Sequence, residues 1–150
     1  MPDGEVLAQV LRGRCRLKVF GRHEDKLRRL REVETSTELP RGQFDVVIEA
    51  SGTQRGFEQA LDLVRPRGTL VLKSTVAAGT ALDMARVVID EVAAVGSRCG
   101  PFEPAIRALG SRAVDPRSMI DAVMPLSAGV DAFSRAEQPG VLKVLLDARR

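Results

Sequence analysis

The chain has 150 residues, the size of one domain that buries about two-thirds of its unfolded surface. Hydrophobic residues make up 44% and charged residues 29%, with five Phe and no Trp or Tyr, so the core must be aliphatic. No aromatic platform exists for stacking single-stranded nucleic acid, and no helix-turn-helix pattern occurs, which argues against a nucleic-acid partner. The net charge of +3 hides an asymmetry: between Arg12 and Arg31, nine basic residues face only Glu24 and Asp25, so this segment carries +7 and the rest −4. Such a local field suits an anionic ligand, or else a solvated surface in a chain where Arg outnumbers Lys 19 to 4.

Short apolar runs alternate with helical spacing along the chain. Leu17–Phe20 reads as a strand ending at Gly21, and the charged stretch Glu24–Glu32 places Leu27 and Leu30 at helical spacing. Residues 33–43 are polar, with Pro40 and Gly42, and predict a loop with at most a short edge strand. Asp45–Ala50 is a continuous apolar strand closed by Ser51-Gly52. Phe57, Ala60, Leu61 and Val64 recur at i, i+3, i+4 and i+7, which defines a helix expected to stop at Pro66.

Thr69–Leu72 is the next strand, polar again by Lys73-Ser-Thr75. Leu82, Ala85 and Ile89 mark a helix, and Val92–Val95 a strand ending at Gly96. Pro101 opens a helix with the stripe Phe102, Ala105, Ile106 and Leu109. A mixed segment runs from Asp115-Pro116 to Leu126, followed by a helix over Val130–Ala136 and a last strand over Val141–Leu146. Strands buried on both faces with helices between them predict a doubly wound parallel sheet, an α/β Rossmann-type fold.

No apolar run approaches the roughly 18 to 20 residues that span a bilayer. The opening MPDGEVLAQVLRGR has no apolar core or cleavage site of a signal peptide, so a cytoplasmic location is expected, with no membrane partner. Cys15 and Cys99 are far apart without a CxxC partner, and His23 is the one histidine. Two thiols do not make a four-ligand structural zinc site, and both are expected to be reduced.

Three stretches together, Gly21-Arg-His-Glu-Asp-Lys-Leu27, Phe44-Asp-Val-Val-Ile-Glu-Ala-Ser-Gly52 and Leu63-Val-Arg-Pro-Arg-Gly-Thr-Leu-Val-Leu72, resemble the medium-chain dehydrogenase/reductase superfamily of zinc-type alcohol dehydrogenases. Gly96-Ser-Arg-Cys-Gly-Pro-Phe102 and Gly140-Val-Leu-Lys-Val-Leu-Leu146 fit its later strands, and the match runs from about Val6 onward. Within it the chain resembles alcohol dehydrogenase-like proteins related to threonine and polyol dehydrogenases. The resemblance implies the cofactor-binding part alone: residues 1–150 as one N-terminally truncated dinucleotide-binding domain, with the catalytic zinc domain absent and no zinc held by this chain. It also implies that Asp3-Gly4 is the start of a phosphate-binding turn and Val6–Leu11 its helix, with the first sheet strand missing and no GxGxxG.

The same resemblance assigns candidate cofactor residues. Arg22 stands where NAD-binding relatives keep an acidic residue for the adenosine ribose; an Arg there would pair with a 2′-phosphate, implying NADP rather than NAD, with His23 and Lys26 as helpers. Against this stands a solvated Arg after a strand. Gly4, Ser51, Gly52, Thr75, Gly96, Ser97 and Arg98 fall at strand or loop ends that line the cofactor in the family, and Lys143 matches a basic residue that reaches its phosphates. Each has a plain alternative as a loop or strand-end residue.

Glu49, inside an apolar strand, needs a partner; a general base is conceivable, and a structural or cofactor-edge role is the stronger expectation. Cys99 lacks a nearby base for nucleophilic work, so no catalytic residue is assigned. The expected function is the cofactor-binding portion of an alcohol dehydrogenase-like oxidoreductase, inactive alone. It would work with a separately encoded catalytic domain, or else the chain is a stand-alone nucleotide-binding module or a gene remnant. Apolar edges left by a missing strand would favour a homo-oligomer.

Overall fold

The computed structural model describes residues 3–75, 79 and 81–149. In chain order its elements are α1 (Asp3–Leu11), β1 (Lys18–Phe20), α2 (Glu24–Leu27), β2 (Glu34–Ser36), β3 (Phe44–Glu49), α3 (Gln54–Leu63) and β4 (Val64–Leu72). There follow α4 (Met84–Ile89), β5 (Ala93–Gly96), α5 (Phe102–Gly110), β6 (Ile120–Pro125), α6 (Gly129–Ala136) and β7 (Lys143–Asp147), with single 3-10 turns at Pro116–Met119 and Leu126–Ala128. All pairings among the described strands are parallel, as the alternation of strands and helices predicts, in three sheets: β1-β2, β3-β4-β5 and β6-β7. The chain divides into a middle unit, Leu39–Pro101, and a split unit made of Pro2–Glu38 with Phe102–Arg150.

In the middle unit the register aligns Glu49 with Leu72 and Leu72 with Gly96, so three parallel strands end level. Parallel neighbours require crossovers, and α3 and α4 supply them. The stripe Phe57, Ala60 and Leu61 of α3 packs with Val64, Leu70 and Val92 into one buried cluster, flanked by Val47, Leu72, Leu82 and Val87. The helix does not run to Pro66. It ends at Leu63, and Val64 is already extended and paired with Phe44. The reason is steric: the residue before a proline is pushed out of the α region, so Arg65 cannot continue the helix, and Val64 gains more by burial in the core.

The register then jumps between Phe44 and Val46, which takes up the Arg65–Gly68 turn of the strand. A Cβ at Gly68 would lie 2.8 Å from the Arg65 carbonyl oxygen and 3.0 Å from that of Asp45, so only glycine fits.

The split unit holds two two-stranded ribbons. The mixed segment after Asp115 contains a strand, β6, that its sequence conceals: Asp121 interrupts the apolar run and Pro125 ends it. β7 starts at Lys143 rather than Val141, because the Leu142 N–H is drawn to the Asp121 carboxylate and the Val141 N–H to the Gln138 carbonyl. The stripe of α5 forms, but outward: Phe102 is 80% exposed. Among the described residues, no strand pairs with the second edge of β1 or of β3, and Val46 on β3 is 54% exposed.

Candidate functional site

Three short segments follow the level strand ends of the middle unit: Ser51-Gly52-Thr53 after β3, Lys73-Ser74-Thr75 after β4, and Ser97-Arg98 after β5. The ladder continues one step past the strands, with Lys73 N–H donating to the Glu49 carbonyl and Ser97 N–H to the Leu72 carbonyl, each at 2.9 Å. Lys73 Nζ also donates to the Arg98 carbonyl. The six middle-unit candidates, Ser51, Gly52, Thr75, Gly96, Ser97 and Arg98, therefore sit along one carboxyl edge, the place where ligands bind in open parallel sheets.

That edge is organised by Glu49, 5% exposed and the one buried charged residue among the described residues. Its Oε1 accepts from Ser51 N–H at 2.6 Å, Ser51 Oγ at 2.7 Å and Gly52 N–H at 3.2 Å, and its Oε2 accepts from Ser74 Oγ. Burial opposes ionisation, but the hydroxyls of Ser74 and Ser51 and the two amides outweigh it and hold the carboxyl below the usual carboxylate range. The network extends further: Gly52 N–H reaches Ser74 Oγ at 3.0 Å and Thr53 N–H reaches Ser51 Oγ at 3.2 Å. Thr53 Oγ1 lies 3.0 Å from Ser51 Oγ and caps α3 by accepting from Gly56 N–H at 3.1 Å. Because the Ser51 proton is committed to Glu49, the Thr53 hydroxyl is the donor between the two.

Two residues make this possible that sequence reasoning passed over. Ser74 stands two residues beyond Leu72, the partner of Glu49, so the register alone places it beside the carboxylate. Gly56 lies within a helix where alanine would be preferred, and a Cβ there would fall 2.0 Å from Ser51 Oγ. A buried glutamate and a glycine two residues into a helix were the available signals. Gly52 has φ +71, which the turn requires of a residue without a Cβ penalty.

The split unit carries the other candidates. Arg22 and His23 follow β1, are exposed and have no ion pair among the described residues. Lys26 lies in α2 and donates from Nζ to the Val141 carbonyl at 3.5 Å, which brings α2 beside the Gly140–Lys143 segment. A Cβ on Gly140 would stand 3.2 Å from the Asp25 carboxylate. Asp121 holds this segment: Oδ2 accepts from Leu142 N–H at 2.5 Å and Lys143 N–H at 3.2 Å, while Oδ1 accepts from Arg29 Nη2 at 2.8 Å. The Arg29 guanidinium and, against the cost of desolvation, these two amides lower the Asp121 pKa to about 2.

The basic cluster is spread along β1 instead of converging. Arg12, Arg14 and Arg16 precede the strand, and Arg12, Lys18, Arg28 and Arg29 are taken up by Glu32, Glu34, Glu24 and Asp121. Gly4 lies in the first described turn of α1 (Asp3–Leu11) and has no positive φ. Cys15 and Cys99 are exposed free thiols. Among the described residues no three His, Cys, Asp or Glu side chains converge as metal ligands. Among the same residues no helix is long and apolar enough to cross a membrane.

A family model described as zinc-binding dehydrogenase matches residues 20–113. No curated protein matches the chain. Among solved structures, L-idonate 5-dehydrogenase from Escherichia coli aligns with a TM-score of 0.84 at 20% identity, covering 97% of this chain and 47% of that one. A short chain alcohol dehydrogenase from Escherichia coli, complexed with NADH, aligns at 0.79 and 20% identity over 97% of this chain and 49% of its own. A Sinorhizobium meliloti protein described as a zinc-binding dehydrogenase and bound to NADP aligns at 0.79 and 24% identity, over 95% and 50%. The chain thus has the Rossmann-type α/β fold of these neighbours and spans about half their length.

Proposed function

The chain belongs to the zinc-binding dehydrogenase family, and from that premise we propose that it is the nicotinamide dinucleotide-binding part of an alcohol dehydrogenase-like oxidoreductase, preferring NADP over NAD. The observation that carries this reading is the level carboxyl edge of β3, β4 and β5, with a left-handed Gly52 and a turn organised by Glu49. The left-handed Gly52, and Gly96, where an added Cβ would meet nothing within 4 Å, suit close approach of a flat ligand. Ser51, Thr75, Ser97 and Arg98 border the same edge.

The preference for NADP rests on Arg22. A guanidinium that is exposed after β1, and without an ion pair among the described residues, suits a 2′-phosphate, whereas ribose hydroxyls would call for a carboxylate. His23 would assist at the same place, with Lys26 and Lys143 as further cations and Gly4 at the amino end of α1. Structural neighbours carry NADH in one case and NADP in another, which supports the dinucleotide as the ligand class.

When bound, the dinucleotide supplies the hydride chemistry, and this chain's residues bind and orient it. We further propose, as the alcohol dehydrogenase-like reading implies, that the chain has no turnover alone and acts with a separately encoded catalytic domain. Exposed Val46, Phe102, Val130 and Phe133 support self-association as a homo-oligomer. Calorimetry tests the reading: NADPH should bind at least tenfold tighter than NADH, and Arg22→Glu should erase the difference. Absence of binding by both at millimolar ligand would overturn it, and alcohol-dependent reduction of NADP by the purified chain would overturn the assignment of inactivity.

A further inference from the structure

We propose that Glu49 is the positioning residue of the carboxyl edge, and that by turning the donors of the Ser51–Thr53 turn inward it makes this turn a reader of hydroxyl or amide hydrogens rather than of phosphate. The proposal rests on the edge being the nucleotide-binding site. Every amide of the turn is spent inside the protein: Ser51 N–H and Gly52 N–H on Glu49, Gly52 N–H also on Ser74, and Thr53 N–H on Ser51 Oγ. The hydroxyls are spent as well. Ser51 and Ser74 donate to the carboxylate, and Thr53 donates to Ser51 while accepting from Gly56 N–H.

Phosphate-binding turns work in the opposite sense, with successive amides aimed at the ligand. Here the carbonyls of Ser51 and Gly52 accept no hydrogen bond from the described residues, so acceptors are what the turn has left to offer. A ribose hydroxyl, an exocyclic amine or a carboxamide complements them; a phosphate would meet oxygen against oxygen.

The direction of every bond follows from one buried negative charge. A carboxylate can only accept, so the four donors around it have no alternative orientation. The carboxylate also ties two strand ends, since Oε1 serves the turn after β3 and Oε2 the residue two past β4. Glutamate has the reach for both; aspartate, one methylene shorter, keeps the charge but not the bridge. Glutamine keeps the reach but presents an NH2 that must face one of the donors.

The test uses the full chain as wild type, Glu49→Gln, Glu49→Asp and Ser74→Ala, read by amide hydrogen exchange and by titration with NADP and with inorganic pyrophosphate. Amides of Ser51 and Gly52 should exchange at least tenfold faster in Glu49→Gln, with amides of α3 little changed, and NADP affinity should fall at least tenfold. Ser74→Ala should give a smaller loss of the same kind. In wild type, NADP should shift the Ser51–Thr53 resonances and pyrophosphate should not. Unchanged NADP affinity in all three variants, or shifts of that turn by pyrophosphate, would overturn the proposal while leaving the site intact. If wild type binds neither dinucleotide, the nucleotide reading falls, and exchange decides the rest: a loss of protection confined to Ser51 and Gly52 upholds the positioning role, and equal protection sinks it.

Discussion

The two units solve the same problem, anchoring a turn at a strand end with a carboxylate, by different chemistry. In the middle unit, which holds a contiguous apolar cluster, Glu49 is satisfied by neutral donors, two hydroxyls and two amides. In the split unit Asp121 is satisfied by a cation, Arg29, and two amides, where the buried apolar residues Ala8, Leu27, Val114, Met119, Ala132 and Leu142 come from separate elements. A carboxylate held by neutral donors fixes the direction of its whole surroundings. One held by a salt bridge couples distant segments, here residues 29, 121 and 142, and depends more visibly on ionisation.

The largest effects should come from the cores. Leu70→Ala, at a fully buried position within the cluster, is expected to cost about 4 kcal/mol, against about 2 kcal/mol for Met119→Ala in the split unit, by denaturant unfolding. Equal costs would erase the distinction between the two interiors. Gly56→Ala should cost about 2 kcal/mol, because its Cβ displaces Ser51 from Glu49. Gly129→Ala at the start of α6, where a Cβ meets nothing within 4 Å and φ is −54, should be neutral or slightly stabilising.

Asp121→Asn should cost about 2 kcal/mol at neutral pH, most of which vanishes in acid. The sign follows from a folded pKa of about 2, below the unfolded carboxyl value: the contribution is complete above roughly pH 4 and is lost as pH falls toward 2. A pH-independent cost would mean that packing, not the ion pair, holds the segment. Thr53→Ala should cost less, about 1 kcal/mol for the α3 cap, visible as a lowered Tm.

Much of the fold is legible in the sequence. Continuous apolar runs at residues 45–50 and 69–72 gave parallel strands, and the i, i+3, i+4 spacing of Phe57, Ala60 and Leu61 gave the helix face that became the core. Ser74 was not legible as a partner of Glu49, nor Gly56 as the neighbour of Ser51, since local spacing does not connect residues 25 positions apart or show which side chain a helical glycine must clear. β6 was hidden for a similar reason: Asp121 looks like an interruption until its partners, Arg29 and the β7 amides, are brought to it.

The amino-acid sequence by itself determined which segments become strands and helices and which of their faces are apolar, because those preferences follow from local spacing and side-chain shape. It also determined that a buried glutamate would demand donors. Which donors answer was left to the tertiary structure, through the register that levels Glu49, Leu72 and Gly96. So too was the fate of the basic segment, where four of nine cations are consumed by carboxylates and Arg22 is not. Hydrogen bonds and ion pairs act over about 3 Å, and only folding decides which residues come that close.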